Sequence, residues 1–73
     1  MTAPYFIEYQ SRTNDPIEVA IAEARALFLK RFGITATVVR ININNPRSVA
    51  VEGVTVEFVR GVLPGAAWAG RVE

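Results

Sequence analysis

The sequence contains no cysteine and no histidine among its 73 residues. The absence of cysteine excludes disulfide bonds and thiolate nucleophiles, and the absence of histidine removes the commonest general base. Together they also remove the nitrogen and sulfur ligands on which zinc sites depend. We therefore predict a protein that is not an enzyme, with no catalytic, cofactor-binding or metal-ligating residues. An enzyme that uses carboxylates at an oligomer interface is the least favoured alternative, because the carboxylates are dispersed along the chain.

The sequence also lacks an excess of one charge and a long apolar run. Eight Lys and Arg residues against seven Asp and Glu residues leave a net charge of +1, which creates no field that attracts nucleic acid or an anionic membrane. No apolar run approaches the roughly 20 residues that span a bilayer. Residues 1–4 lack the basic and apolar regions of a secretory signal. We therefore expect a cytoplasmic protein without a membrane partner.

The composition that remains is that of one folded domain, because 51% of the residues are hydrophobic and 21% are charged. A single core of this size rarely supplies more than about 3–5 kcal/mol of net stability without disulfides or metals. We therefore expect a homo-oligomer, a dimer or larger. The predicted organisation is a single domain over residues 1–73, with a βαββ core in residues 1–60 and a C-terminal arm in residues 61–73.

The first half of the chain predicts a strand followed by a helix. Tyr5–Tyr9 is rich in aromatic and β-branched residues, which is typical of a strand. Asp15, Pro16 and Glu18 form a helix start in which Asp15 is the N-cap and Glu18 completes a capping box. The apolar spacing then predicts an amphipathic helix from Pro16 to Phe32, ended by the glycine that follows.

A second, thinner apolar seam follows the far side of this helix. It consists of Val19, Ala22, Ala26 and Leu29. The seam is either a surface for a partner or the result of alanine being the best helix former, with single exposed apolar residues of no significance.

The second half predicts two more strands joined by a hairpin. Ile34–Ile43 alternates with the period of a strand that has one wet face, and residues 44–47 have turn chemistry. Between Ser48 and Arg60 the alternation changes phase at Glu52 and Gly53. We favour one long strand with a bulge at Gly53 over two short strands joined by a tight turn. The prediction is an α+β domain with a three-stranded sheet, or four strands if the last one is split, and one helix on one face.

The segment from Gly61 to Glu73 fits neither the strand nor the helix period and is predicted to be an apolar arm. Trp68 is its expected anchor, because an indole buries a large area while its N–H still needs a partner. The arm packs either on its own chain or on a neighbouring subunit, and the sequence leaves both open. Together with the uncovered face of the sheet and the helix seam, it gives these candidate interface residues: Trp68, Leu63, Tyr5, Tyr9, Val19 and Leu29.

The leading functional hypothesis is a homo-oligomeric, non-enzymatic protein that works by binding. The alternative is a small-ligand or nucleic-acid binding module in which Arg40, Arg47 and Arg60 cluster at one end of the hairpin, because arginine suits bidentate recognition of phosphate or carboxylate. Nucleic acid is not favoured, because aromatic residues do not interleave with these arginines. A small ligand remains open. No motif names a substrate or a biological process.

Overall fold

The computed structural model describes residues 5–11 and 15–71, with the side chain of Tyr5 left out. These residues form one helix and four strands. The elements are β1 (Tyr5–Gln10), α1 (Ile17–Phe32), β2 (Val38–Asn42), β3 (Thr55–Val59) and β4 (Ala66–Arg71). The predicted α+β class, with one helix packed on a sheet, is confirmed.

The four strands form one sheet in the order β1-β4-β2-β3. β4 runs antiparallel to both of its neighbours, β1 and β2, while β2 and β3 are parallel. β1 and β2 therefore point the same way, as expected for strands joined through a helix. They are not neighbours, because β4 is inserted between them.

The predicted hairpin between the second and third strands is wrong, because β2 and β3 run parallel with Val38 opposite Thr55. Parallel neighbours need a crossover of about a dozen residues or more, and residues 43–54 supply it. The predicted turn exists, since the Asn45 amide donates to the Asn42 carbonyl at 3.0 Å. It starts this crossover instead of returning the chain directly.

The predicted long strand with a bulge is also wrong, because the strand contains only Thr55–Val59. Gly53 lies in a turn before β3 with φ of +87°. Val49 and Val51, whose alternation is typical of a strand, belong to the crossover and pack against the hydrophobic core.

The core lies between the sheet and a second layer made of two parts. α1 packs on β1 and β4, and its buried residues are Ala20, Ile21, Ala24 and Phe28. Valines of residues 43–54 join the same core cluster, together with Val56 and Phe58 of β3. The crossover therefore covers the β3 side of this sheet face, which α1 does not reach.

The predicted C-terminal arm is in fact β4, an interior strand of the sheet. Ala66, Ala67 and Ala69 are completely buried. Alanine and glycine have low strand propensity, but the small side chains of Ala67 and Ala69 let α1 approach the sheet closely. Packing therefore overrides local propensity.

The two ends of α1 differ in how well the sequence predicts them. Pro16 is the N-cap and makes no side-chain capping hydrogen bond, so the predicted Asp15 cap is misplaced by one residue. The carboxylate of Asp15 accepts a hydrogen bond from Ser11 Oγ at 3.2 Å. At the other end Gly33 is left-handed, with φ of +71°, and its amide donates to the Leu29 carbonyl at 2.8 Å. The predicted glycine stop is confirmed.

Replacing Gly33 with alanine should lower the free energy of unfolding by about 1–2 kcal/mol, because a Cβ is unfavourable in the left-handed region. No atom lies within 4 Å of the added Cβ, so the loss comes from the backbone alone. Gly61→Ala is the matched control, since Gly61 has no positive φ and equally open surroundings. Equal losses for the two variants in urea unfolding would contradict this assignment.

Candidate functional site

The sheet has one face covered by α1 and residues 43–54. On the second face no described helix or strand packs, and the loop between β3 and β4 covers one end, where Asn42 Nδ2 donates to the carbonyl of the buried Val62 at 2.7 Å. We call the second one the open face. Its positions alternate with those of the core along each strand. They are Phe6, Glu8, Gln10, Val38, Arg40, Asn42, Thr55, Glu57, Val59, Ala66, Trp68 and Gly70.

The register of the strands places four open-face side chains in one line across the sheet. Glu8 lies opposite Trp68, Trp68 lies opposite Arg40, and Arg40 lies opposite Glu57. We call these four residues the central row. Along it, an acid, an indole, a guanidinium and a second acid follow one another, one from each strand.

Two hydrogen bonds link neighbours within the central row. Trp68 Nε1 donates to Glu8 Oε2 at 3.0 Å, and Arg40 Nε donates to Glu57 Oε1 at 2.8 Å. The side chains of this ion pair remain 31% exposed for Arg40 and 42% exposed for Glu57. An ion pair with this exposure contributes roughly 0–1 kcal/mol to stability. Its charges therefore remain available to a partner.

Phe6 joins the central row from the neighbouring position on β1. Its ring centroid lies 4.3 Å from Arg40 Cζ and 6.3 Å from the centroid of the Trp68 ring, at an interplanar angle of 50°. Phe6 and Arg40 are on strands separated by β4, but β4 has Gly70 opposite Phe6. The absence of a side chain there lets the ring reach Arg40. A cation–π contact of this kind holds the guanidinium in place.

The candidate interface residues do not form one surface. Trp68 lies on the open face, whereas Tyr9 is half-buried on the opposite face, against the core. The backbone of Tyr5 begins β1, and its side chain lies outside the described part of the structure. Of the three aromatic residues predicted, the described part of the structure places only Trp68 on the open face.

The apolar candidates on α1 and in the loop before β4 are exposed. Val19 is 39% exposed and Leu29 is 48% exposed, both on the helix, and Leu63 is 54% exposed between β3 and β4. Leu29 borders a shallow groove of about 220 Å³. The groove is lined by Ala22, Arg25, Ala26, Leu29, Thr35 and Ala36. The predicted helix seam is therefore solvent-facing and separate from the open face.

The three candidate arginines are not brought together. Arg40 lies on the open face, whereas the guanidinium of Arg47 lies 4.5 Å from the centroid of Phe58, a ring that packs against the core on the other face. Arg47 Nη1 also donates to the Ile43 carbonyl at 2.7 Å. Arg60 is exposed just after β3. The fold thus separates Arg40 from Arg47 by the thickness of the sheet.

Phe6, Glu8 and Glu57 are not among the site residues predicted from the sequence. Phe6 and Glu8 alternate with Ile7 and Tyr9, so the strand period alone places them on the opposite face from the core. That signal is present in the sequence. The alignment of Glu8 with Glu57 on strands far apart along the chain has no local signal.

Residues 5–11 and 15–71 contain no group of three acidic side chains that could hold a metal ion. Over the same residues, no helix has the length and apolar character needed to cross a bilayer.

Comparison with known proteins gives no relative. No family model matches the chain, and neither a curated protein nor a solved structure is significantly similar to it. The function is therefore inferred from the geometry of the open face.

Proposed function

We propose that this protein is a non-enzymatic binding protein that works as a homo-oligomer, with the open face as its contact surface. The observation that carries the proposal is the grouping of Trp68, Phe6 and Arg40 on a sheet face that no described helix or strand covers. Tryptophan, phenylalanine and arginine are enriched in protein interfaces, and tryptophan and arginine often dominate the binding energy. A sheet face that is exposed only to solvent does not require this combination of aromatic and arginine side chains.

The charges beside Arg40 favour a protein partner over nucleic acid. Arg40 is paired with Glu57 on one side, and Glu8 lies two strands away on the other. Binding to a phosphate backbone depends on uncompensated cations, and the two carboxylates oppose it. Alternating charges suit a protein surface with the complementary pattern.

The proposal predicts that light scattering coupled to size exclusion returns at least twice the chain mass of 8.0 kDa. Trp68→Ser should raise the dissociation constant about 30-fold or more, because removing a central aromatic anchor costs about 2 kcal/mol or more. Leu29→Ser, on the exposed side of α1, is the control and should leave the mass unchanged. Circular dichroism checks that both variants fold. A wild-type chain that remains an 8.0 kDa monomer at micromolar concentration contradicts the proposal.

A further inference from the structure

We infer that two copies of this chain pack open face to open face about a two-fold axis that runs along β4 through Trp68. In this arrangement Glu8 of each copy meets Arg40 of the other. The inference rests on the proposed function and specifies which residues meet in the contact. It follows from three properties of the open face, namely the strand order, the register and the sign of each charge.

The strand order makes β4 the natural symmetry axis. β4 has β1 on one side and β2 on the other, each about 4.8 Å away. A two-fold axis along β4 therefore places β1 of one copy over β2 of the other. Glu8 and Arg40 both lie directly opposite Trp68, so they exchange places under this axis. The result is two carboxylate–guanidinium contacts around a central pair of Trp68 side chains.

The neighbouring row of the open face agrees with the same axis. Phe6 and Val38 both lie opposite Gly70, so the axis places Phe6 of one copy over Val38 of the other. Apolar groups then face apolar groups. Val38 is only 5% exposed within its own chain, so Phe6 supplies the apolar surface of this row. The ring of Phe6 reaches over Gly70 within each copy, so the two Phe6 rings approach each other at the axis.

Two other two-fold axes bring like charges together. An axis across the strands at the central row sets Glu8 against Glu8 and Arg40 against Arg40. An axis between β4 and β2 sets Glu8 against Glu57. Like charges facing each other in an interface cost several kcal/mol. Among these three axes, the order of charges in the central row favours the axis along β4, which alone joins carboxylates to guanidinium groups.

Arg40 has the donors that this contact requires. A guanidinium carries five N–H groups in a planar fork. The Nε–H group of Arg40 bonds to Glu57 Oε1 at 2.8 Å, and both of its hydrogen bonds to a second carboxylate can come from the terminal nitrogens. The Phe6 ring at 4.3 Å holds the group in position before a partner arrives. Less side-chain entropy is then lost on binding.

Reciprocal charge reversal tests this arrangement. In a dimer of Glu8→Arg, each of the two contacts joins two arginines. In a dimer of Arg40→Glu, each of them joins two glutamates. Each variant should raise its own dissociation constant about 100-fold or more. An equimolar mixture of the two should form a mixed dimer with near wild-type affinity, because every contact again joins opposite charges. Light scattering and native mass spectrometry measure the species formed.

Matched controls separate this contact from a general effect of charge. Glu18→Arg on α1 and Arg60→Glu after β3 make the same charge changes at exposed positions away from the central row. Both should associate as the wild type does. Circular dichroism and urea unfolding check that each variant folds. If Arg40→Glu fails to fold, Glu8→Gln provides the test, since it removes the charge while its amide oxygen can still accept from Trp68. We expect the association of the wild type to weaken as the salt concentration rises, because salt screens the exposed charges, and Glu8→Gln should lose this dependence.

The outcomes distinguish the two proposals. A monomeric wild type overturns both of them. An oligomer that Trp68→Ser dissociates, but whose charge-reversed variants do not recover on mixing, keeps the open face as the contact and overturns the axis along β4. Recovery only in the mixture supports the pairing of Glu8 with Arg40. Unchanged salt dependence in Glu8→Gln contradicts that pairing.

Discussion

A chain that stops after Pro64 should fail to fold, and should not simply lose its association. Such a chain lacks β4, which pairs with β1 along one edge and with β2 along the other. It also lacks Ala67 and Ala69, on which α1 packs. Circular dichroism should show a largely unfolded spectrum and urea titration no cooperative transition. Removal of residues 72 and 73 alone, beyond β4, should preserve the transition.

A folded chain without residues 65–73 would contradict this prediction. A folded monomer without β4 would show that the strand is dispensable for the fold. It would favour a segment exchanged between subunits, which is the second placement left open by the sequence. The position of β4 inside the sheet argues for loss of folding, because its removal leaves β1 and β2 without a common neighbour.

Phe28→Ala should remove most or all of the stability of the domain. Phe28 is 0% exposed and is among the largest fully buried side chains of the core. Its replacement by alanine costs about 3–5 kcal/mol, which is comparable to the total net stability of about 3–5 kcal/mol expected for a single core of this size. We expect the variant to be mostly unfolded in the absence of denaturant, as measured by circular dichroism and amide hydrogen exchange.

Phe32→Ala is the matched control for Phe28→Ala, because it removes the same atoms one turn later. Phe32 is 39% exposed and therefore loses less apolar burial. Its unfolding transition should persist at a reduced midpoint. Phe28→Leu, which keeps most of the buried volume, should also fold. If Phe28→Ala and Phe32→Ala lower the midpoint equally, the assignment of Phe28 to the centre of the core is wrong.

The elements predicted well from the sequence are those whose signals lie within a few residues. Gly33 ends α1 because only a few residue types adopt the left-handed conformation cheaply, so its identity and position suffice. The aromatic and β-branched residues of Tyr5–Tyr9 likewise predict β1, and the strand period divides its side chains between two faces. Neither conclusion needs knowledge of the rest of the chain.

β4 could not be predicted in this way. Ala66, Ala67, Ala69 and Gly70 have small side chains with low strand propensity, and no local pattern indicates that they pair with strands on both sides. Their conformation depends on α1 above them and on β1 and β2 beside them. Those partners are brought together only by the complete fold.

The direction of β3 has a similar explanation. Asn45 and Pro46 indicate a turn, and a turn is present, but a local signal does not determine where the chain goes after it. Val49 and Val51 then satisfy the strand period although they lie in the crossover and pack as core residues there. Burial without strand pairing gives the same sequence pattern as burial in a strand.

The candidate site was predictable only in part. Trp68 stands out by its size and by being the single tryptophan of the chain, and the alternation of β1 sets Phe6 and Glu8 apart from the core residues. Arg40 was selected for a different reason, as a member of a cationic cluster. Its alignment with Glu8 and Glu57 arises from strand register, which the sequence alone does not reveal.

The interior position of β4 also has a consequence for synthesis of the chain on the ribosome. β4 is the last of the four strands along the chain, so β1, α1, β2 and β3 leave the exit tunnel before the strand that joins them. Until Arg71 has emerged, the buried side of α1, including Ile21 and Phe28, lacks much of the surface it packs on. The nascent chain therefore exposes apolar side chains until translation has passed this strand. The core then assembles late and in one step, as in other folds dominated by contacts between distant parts of the chain.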